Sequence, residues 1–161
     1  MKVRSEENPN TELIRQSLDK VDFNDVFSTT NQQDDLNVIA HKIFDTQPKW
    51  VAFLFRVRSF LAKIIGLKTT QPEDYHTQYE VGGYIGFFKL FALTPNELIM
   101  GLDDSHLNFR VSIYNSQDPT FNIKVTTLVQ YVNRTGKIYL FFVKPFHRII
   151  VRKMVKQAYL K

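Results

Sequence analysis

The C-terminal stretch from Gly136 to Lys161 places the strongest constraint on what this chain can fold into. It reads GKIYLFFVKPFHRIIVRKMVKQAYLK, and its apolar residues recur at the spacing of an amphipathic helix. The predicted apolar face comprises Tyr139, Phe142, Val143, Phe146, Ile150, Met154 and Ala158. A face of this size must lie on a large apolar surface, which the residues before it have to supply.

Basic residues recur at every fourth position of the same stretch, at Lys144, Arg148, Arg152 and Lys156. This spacing predicts a basic stripe on another face of the helix. Four basic residues alone give about millimolar affinity for an anionic membrane, so stable attachment needs apolar insertion as well. Because we expect the aromatic face to be covered by a sheet, the stripe is interpreted as a solvated surface.

Pro145 falls inside this predicted helix. Proline lacks the amide hydrogen that would bond to the carbonyl of Phe141, and its ring crowds the preceding turn. Two interpretations stay open: the helix bends at Pro145, or a new helix begins there.

The central part of the chain has the alternating pattern of β-strands. In Leu107 to Asn115, the residues Leu107, Phe109, Val111 and Ile113 point to one side and the polar residues to the other. Strands are predicted over residues 21–28, 87–94, 97–102, 107–115 and 122–132, the last four joined by short turns as a meander. Two helices are predicted after the first strand, one through Leu36 and Ile43 and the second over about 48–65.

This order of elements predicts an α+β fold in which a curved antiparallel sheet wraps around the long C-terminal helix. A chain of 161 residues is normally one domain. We expect a flexible N-terminal tail over residues 1–12 and a single domain over 13–161. Aromatic residues make up 14% of the chain, which fits a large core or an aromatic-lined cavity.

Composition excludes several classes of protein. The chain has no cysteine, so disulfides, thiolate metal sites and cysteine catalysis are excluded. No apolar run is long enough to span a membrane, and the polar N-terminus does not resemble a secretory signal. We therefore expect a cytoplasmic protein. The net charge of +5 is interpreted as a solvated basic surface, and no nucleic-acid partner is expected.

Two segments carry a resemblance to a known family. They are Leu98 to Ser112, with LDDSHLNFRVS at its end, and Gly136 to Val151, which contains VKPFHR. Together they resemble the domain-of-unknown-function 2867 family of uncharacterised, mainly bacterial proteins. The resemblance covers about Val21 to Met154. Asn108 stands where the family pattern has Asp, which puts any role needing a carboxylate there in question.

The resemblance implies a helix-grip fold like that of START domains and the birch pollen allergen, often with an apolar cavity between sheet and helix. It agrees with the fold predicted from the residues. No activity is established for the family, so the resemblance does not identify a reaction.

Polar residues near such a cavity are candidates for a ligand site. His106, Asn108 and Arg110 share one strand face, and His147 lies beside Arg148. Arginine can bind a carboxylate or phosphate in bidentate fashion, and histidine can transfer protons near neutral pH. The full set of candidate ligand-binding residues is Asp104, His106, Asn108, Arg110, Phe142, Phe146 and His147. Alternatively, the polar members face solvent or tie the sheet to a loop through Asp103 and Asp104.

Three functions remain open at this stage. The first is a binding module for a small hydrophobic or amphipathic molecule. The second is an enzyme acting on such a ligand with His106, Arg110 or His147, although no recognisable catalytic set, metal site or cofactor motif is present and we expect neither metal nor cofactor. The third is a peripheral membrane or interaction protein that uses the basic stripe. The sequence leaves the ligand and the oligomeric state open.

Overall fold

The structure is a computed structural model that describes residues 1–45 and 72–160, with residues 52, 56, 59, 60 and 63 between them. The helix predicted over 48–65 lies outside the continuously described residues. Three helices are described in the two ranges: α1 (Glu12–Ser17), α2 (Leu36–Phe44) and α3 (Arg134–Gln157). The seven strands are β1 (Val3–Ser5), β2 (Phe23–Thr29), β3 (Tyr84–Ile85), β4 (Phe88–Leu93), β5 (Glu97–Asp103), β6 (Leu107–Asn115) and β7 (Ile123–Tyr131).

The strands form one antiparallel sheet in the order β1-β2-β7-β6-β5-β4-β3. The predicted meander is present, because β4, β5, β6 and β7 pair in sequence. The first long strand, β2, then pairs with β7. The α+β architecture is confirmed, with a curved antiparallel sheet and the C-terminal helix packed against it, consistent with a helix grip.

The N-terminal residues differ from the flexible tail predicted for residues 1–12. Val3–Ser5 form an edge strand paired with β2, and Val3 is buried. The Thr29 hydroxyl donates a hydrogen bond of 2.8 Å to the carbonyl of Lys2. A strand of three residues has too little alternation to be recognised in a sequence, and pairing with the edge of a formed sheet stabilises it.

One face of the sheet carries the main core. Side chains from all seven strands meet those of α2 and α3 there, including Phe27, Met100, Ile113, Ile39 and Val155. α2 has the predicted apolar face, with Leu36, Ile39, Ala40 and Ile43 buried. The alternation predicted for β6 is confirmed, since Val111 and Ile113 belong to this core.

The opposite face is covered in part by the short helix α1. Ile14 of α1 packs there against Ile99 and Leu128. Beside this cluster, the buried carboxylate of Glu97 accepts hydrogen bonds from the hydroxyls of Thr11 (2.8 Å) and Ser112 (2.6 Å). These two bonds replace the water that burial removes from the carboxylate, and they tie α1 to the sheet.

α3 is one helix that runs through Pro145. A new helix beginning at Pro145 is therefore not what the chain forms. The Asn133 side chain caps the N-terminus by accepting a hydrogen bond of 3.1 Å from the amide of Gly136. At 24 residues, α3 is about 36 Å long.

The face of α3 that meets the sheet is only in part the one predicted, since Met154 and Ala158 are buried and Ile150 packs against the core. Gly136, Leu140, Met154 and Val155 are its buried residues. Phe142 and Phe146, predicted to face the sheet, are 66% and 56% exposed. The reason is geometric: four residues turn a helix through about 400°, so a row of every fourth residue winds by about 40° per step. The row through Phe142 and Phe146 begins in solvent, packs against the core at Ile150 and is buried only at Met154 and Ala158.

No helix within the described residues is both long enough and apolar enough to cross a bilayer.

Candidate functional site

Arg110 occupies the face of the sheet opposite α3. It is 7% exposed, and its guanidinium lies 3.8 Å from the centre of the Phe91 ring. Its Nη1 donates to Asp103 Oδ1 at 2.7 Å and to the carbonyl of Phe109 at 3.0 Å. Gly101, directly across the ladder, leaves room for the arginine stem, because an added Cβ would lie 3.0 Å from Arg110 Cδ. Through these contacts, Arg110 stabilises the β5–β6 hairpin.

The other candidates on this hairpin have local structural contacts. Asp104 accepts hydrogen bonds from the Ser105 amide (2.6 Å) and hydroxyl (3.2 Å) in the turn. The His106 ring lies 3.1 to 3.3 Å from the side-chain amide of Asn133, the residue that caps α3. Asn108 is half-buried and pairs in register with Asp103 and Gln130.

His147 lies on the α3 side of the sheet, against β2. Its ring meets the Phe23 ring edge to face, with centroids 5.8 Å apart. Nδ1 lies 4.0 Å from Asp25 Oδ2 and has no hydrogen-bond partner among the described residues. Burial lowers the pKa of His147; the Asp25 carboxylate opposes that shift, and the Arg148 guanidinium adds to it.

Asp25 is itself buried and is held by α3. The Arg148 guanidinium donates to its two carboxylate oxygens at 3.2 and 3.4 Å. Lys144 Nζ lies 5.1 Å from the centre of the neighbouring Phe23 ring. The KPFHR segment therefore attaches the middle of α3 to β2.

The structure does not bring the predicted polar candidates into one site. Arg110 contacts Phe91 on the α1 side, whereas His147 contacts Phe23 on the α3 side. Phe142 and Phe146 are more than half exposed to solvent. The two segments that carry the family resemblance instead hold α3 at two places, the hairpin turn at its N-terminus and β2 at its middle.

A groove of about 480 Å³ lies between β1 and the C-terminal half of α3. Its apolar wall consists of Met1, Val3 and Ile149. Its basic wall consists of Lys2, Arg152, Lys153 and Lys156. No acidic residue is among the described residues that line it.

Rigid elements hold the two sides of this groove. Val3 belongs to the main core, and the ladder with β2 fixes β1 in place. Lys2 Nζ lies 4.9 Å from the centre of the Tyr159 ring, which follows the end of α3. Arg152 and Lys156 lie one turn apart on α3, so both can face the same groove. The arrangement suits a molecule with an apolar part and a negatively charged group.

Sequence reasoning identified part of this groove, since Arg152 and Lys156 belong to the predicted basic stripe. It missed Lys2 and Val3, because β1 was predicted as a flexible tail, and it did not single out Ile149 or Lys153. The signal available in the sequence was the apolar Val3 between Lys2 and Arg4, which is the alternation of a very short strand.

Another cleft, of about 270 Å³, is lined by Phe44, Asp45, Gly86, Phe87 and Phe88. Within the described parts of the chain, no three His, Asp or Glu side chains are grouped so that they could hold a metal ion.

Comparison with known proteins gave one match. A family model described as "Protein of unknown function (DUF2867)" matches residues 17–154. No curated protein and no solved structure matches the chain. The matched region includes both segments that hold α3, but β1 lies outside it.

Proposed function

We propose that the protein, which belongs to the family described as "Protein of unknown function (DUF2867)", binds a small amphipathic anion. Membership of this family brings no activity with it, so the proposal rests on the groove. The observation that carries this proposal is the pairing of an apolar wall with a basic wall in a groove of about 480 Å³. The proposal also keeps three expectations from the sequence: a likeness to START domains, a bacterial source and a cytoplasmic location.

The size and position of the groove support the proposal. Small-molecule sites usually enclose about 300 to 1,000 Å³, and the groove lies within that range. The space between the centre of the sheet and α3 is filled by the main core. Space for a ligand lies instead in the groove at the β1 edge of the sheet, where Val3 and Ile149 supply an apolar surface.

The charges of the groove support an anionic ligand. Arg152 can bind a carboxylate or a phosphate with two parallel hydrogen bonds, and Lys2 and Lys156 add positive charge nearby. An alkyl carboxylate and an alkyl phosphate share the required chemistry, which is one anionic head group on an apolar chain. An enzymatic role receives no support from the polar candidates, because Arg110 and His147 lie on opposite faces of the sheet.

The test compares three ten-carbon probes by isothermal titration calorimetry and native mass spectrometry: decanoate, decyl phosphate and 1-decanol. A charge-assisted hydrogen bond contributes about 1.5 to 3 kcal/mol, so at least one of the two anions should bind about tenfold or more tighter than the alcohol. Which anion binds better distinguishes a carboxylate ligand from a phosphate ligand.

A pair of double variants locates the site. Arg152→Gln with Lys156→Gln should weaken binding of the preferred anion about tenfold or more. Arg134→Gln with Lys137→Gln removes the same charge from the opposite end of α3 and should leave binding unchanged. Equal affinity for anion and alcohol, or equal loss in both double variants, would reject the proposal.

A further inference from the structure

The outer surface of α3 carries an unusual concentration of exposed apolar side chains. We call the set Ile138, Phe141, Phe142, Phe146 and Ile149 the aromatic ridge. Every member is more than half exposed, and Phe141 reaches 75%. The Phe141 and Phe142 rings contact each other edge to face, with centroids 5.5 Å apart. Spacings of three, four and seven residues make the ridge one continuous strip about 17 Å long.

Positive charge borders the ridge at both ends. Arg134 and Lys137 precede it, and Arg152, Lys153 and Lys156 follow it. α3 contains seven Lys and Arg residues in all and no Asp or Glu, as counted in its sequence RTGKIYLFFVKPFHRIIVRKMVKQ. The helix thus presents a strip that is apolar in the middle and basic at the ends.

We propose that α3 docks the protein on an anionic membrane surface. The aromatic ridge inserts at the level of the lipid head groups, and the flanking Lys and Arg side chains bind lipid phosphates and carboxylates. A bilayer offers both an apolar interior and negative charge in one plane, which is what this strip requires. This inference goes beyond the binding of a small ligand, and it stands on the ridge and its charges alone.

Charge argues against a second copy of the chain as the occupant. Pairing two α3 helices along their ridges would bring the basic ends of one helix against the basic ends of the other, in either orientation. With no acidic residue in α3 to offset them, like charges would repel. An anionic lipid surface removes that repulsion.

The ridge also supplies what a basic stripe alone lacks. Charges give only weak attachment, whereas each phenylalanine that leaves water adds about tenfold or more to the partition coefficient. The exposed positions of Phe142 and Phe146, which weaken their assignment to an internal cavity, make them the side chains able to enter a bilayer.

The test measures co-sedimentation with vesicles of phosphatidylcholine alone and of phosphatidylcholine mixed with phosphatidylserine. The wild-type protein should bind the mixed vesicles and lose binding on removal of phosphatidylserine or at high salt. Phe142→Ser with Phe146→Ser should reduce the partition coefficient about 100-fold. Arg152→Gln with Lys156→Gln should reduce it about 20- to 30-fold.

Phe87→Ser is the matched control. Phe87 is 70% exposed, but it lies between β3 and β4 at the far edge of the sheet from β1, so this variant should bind vesicles like the wild type. The Phe142→Ser and Phe146→Ser double variant should keep the melting temperature of the wild type and its affinity for the preferred ten-carbon anion. That result separates membrane docking from ligand binding.

Three results would overturn the membrane proposal. The first is equal binding to vesicles with and without phosphatidylserine. The second is undiminished binding by the Phe142→Ser and Phe146→Ser double variant. The third is a dimer in light scattering that this double variant converts to monomer, because the ridge would then be an interface between copies.

Discussion

The two halves of α3 differ in how their apolar residues are used. The first half contains YLFFV, the most apolar run of the helix, yet Phe141 and Phe142 are exposed and only Gly136 and Leu140 are buried there. The second half is richer in charge, yet Met154 and Val155 lie in the main core. Each half thus buries two residues, but only those of the second half belong to the main core, and the most apolar run of the helix is largely exposed.

The difference shows that burial is decided by what lies beneath each residue. The second half of α3 packs with Val3 of β1 and with the α2 residues of the main core. The first half is attached by close contacts at its start, where Asn133 bonds to Ser105 and Gly136 sits against the carbonyl of His106. The exposed apolar residues of the first half, Phe141 and Phe142, lie outside the cores on the sheet, which is why they suit an external partner.

The largest expected effect is a loss of stability on truncating a buried residue in the second half of α3, compared with truncating an exposed residue in the first half. Met154→Ala should lower the free energy of unfolding by about 3 kcal/mol, because it leaves a cavity in the core. Phe142→Ala removes a larger side chain but should change stability by less than about 0.5 kcal/mol, because the ring is exposed. Urea denaturation followed by circular dichroism measures both. A comparable loss in the two variants would show that the ridge is packed in solution.

A second variant tests the attachment at the start of the helix. Alanine normally stabilises a helix by about 1 kcal/mol relative to glycine. In Gly136→Ala, however, the new Cβ would lie 1.9 Å from the His106 carbonyl oxygen, so we expect a loss of about 2 kcal/mol from overpacking. Lys137→Ala, one residue along, is the control and should be close to neutral. A more stable Gly136→Ala protein would mean that α3 does not contact the β5–β6 turn.

The smallest expected effect is the pH dependence of stability that His147 causes, near the boundary between the two halves of α3. Because burial lowers the pKa of His147 in the folded state, folding keeps this side chain neutral while the unfolded chain takes up a proton below about pH 6.5. Its contribution to stability is complete above that pH and is lost as the pH falls toward the lowered folded pKa. The slope is at most about 1.4 kcal/mol per pH unit.

His147→Leu should flatten this part of the stability profile. The measurement is the urea midpoint of both proteins at several values between about pH 7.5 and pH 5.5. The neighbouring charges on Asp25 and Arg148 are present in both proteins, so the difference between the profiles reports His147. Parallel profiles would show that the ring is open to water in the native state.

Much of the sheet could be predicted because each strand carries its own pattern. Leu107 to Asn115 alternates regularly, and β6 has those bounds. Leu36, Ile39, Ala40 and Ile43 likewise predicted the buried face of α2. The elements that were missed are short: β1, α1 and β3 have three, six and two residues. Such elements are stabilised by the contacts they make with the rest of the fold.

The candidate site was less accessible to prediction. Arg110 and His147 both carry chemistry that suits a ligand, but nothing local indicates that they face opposite sides of one sheet. The groove joins Lys2 and Val3 to residues of α3 that are far away in the sequence. Only the pairing of β1 with β2, beneath the end of α3, brings these residues together.

The sequence by itself determined the order of the main strands, the alternation within them and the presence of a long basic C-terminal helix, because these follow from the periods of local structure. The tertiary structure alone decided how far that helix is rotated. A row of every fourth residue winds around a helix by about 40° per step, so the contacts of Leu140, His147 and Val155 with the layers beneath set which residues are buried. The same rotation left Phe142 and Phe146 in solvent.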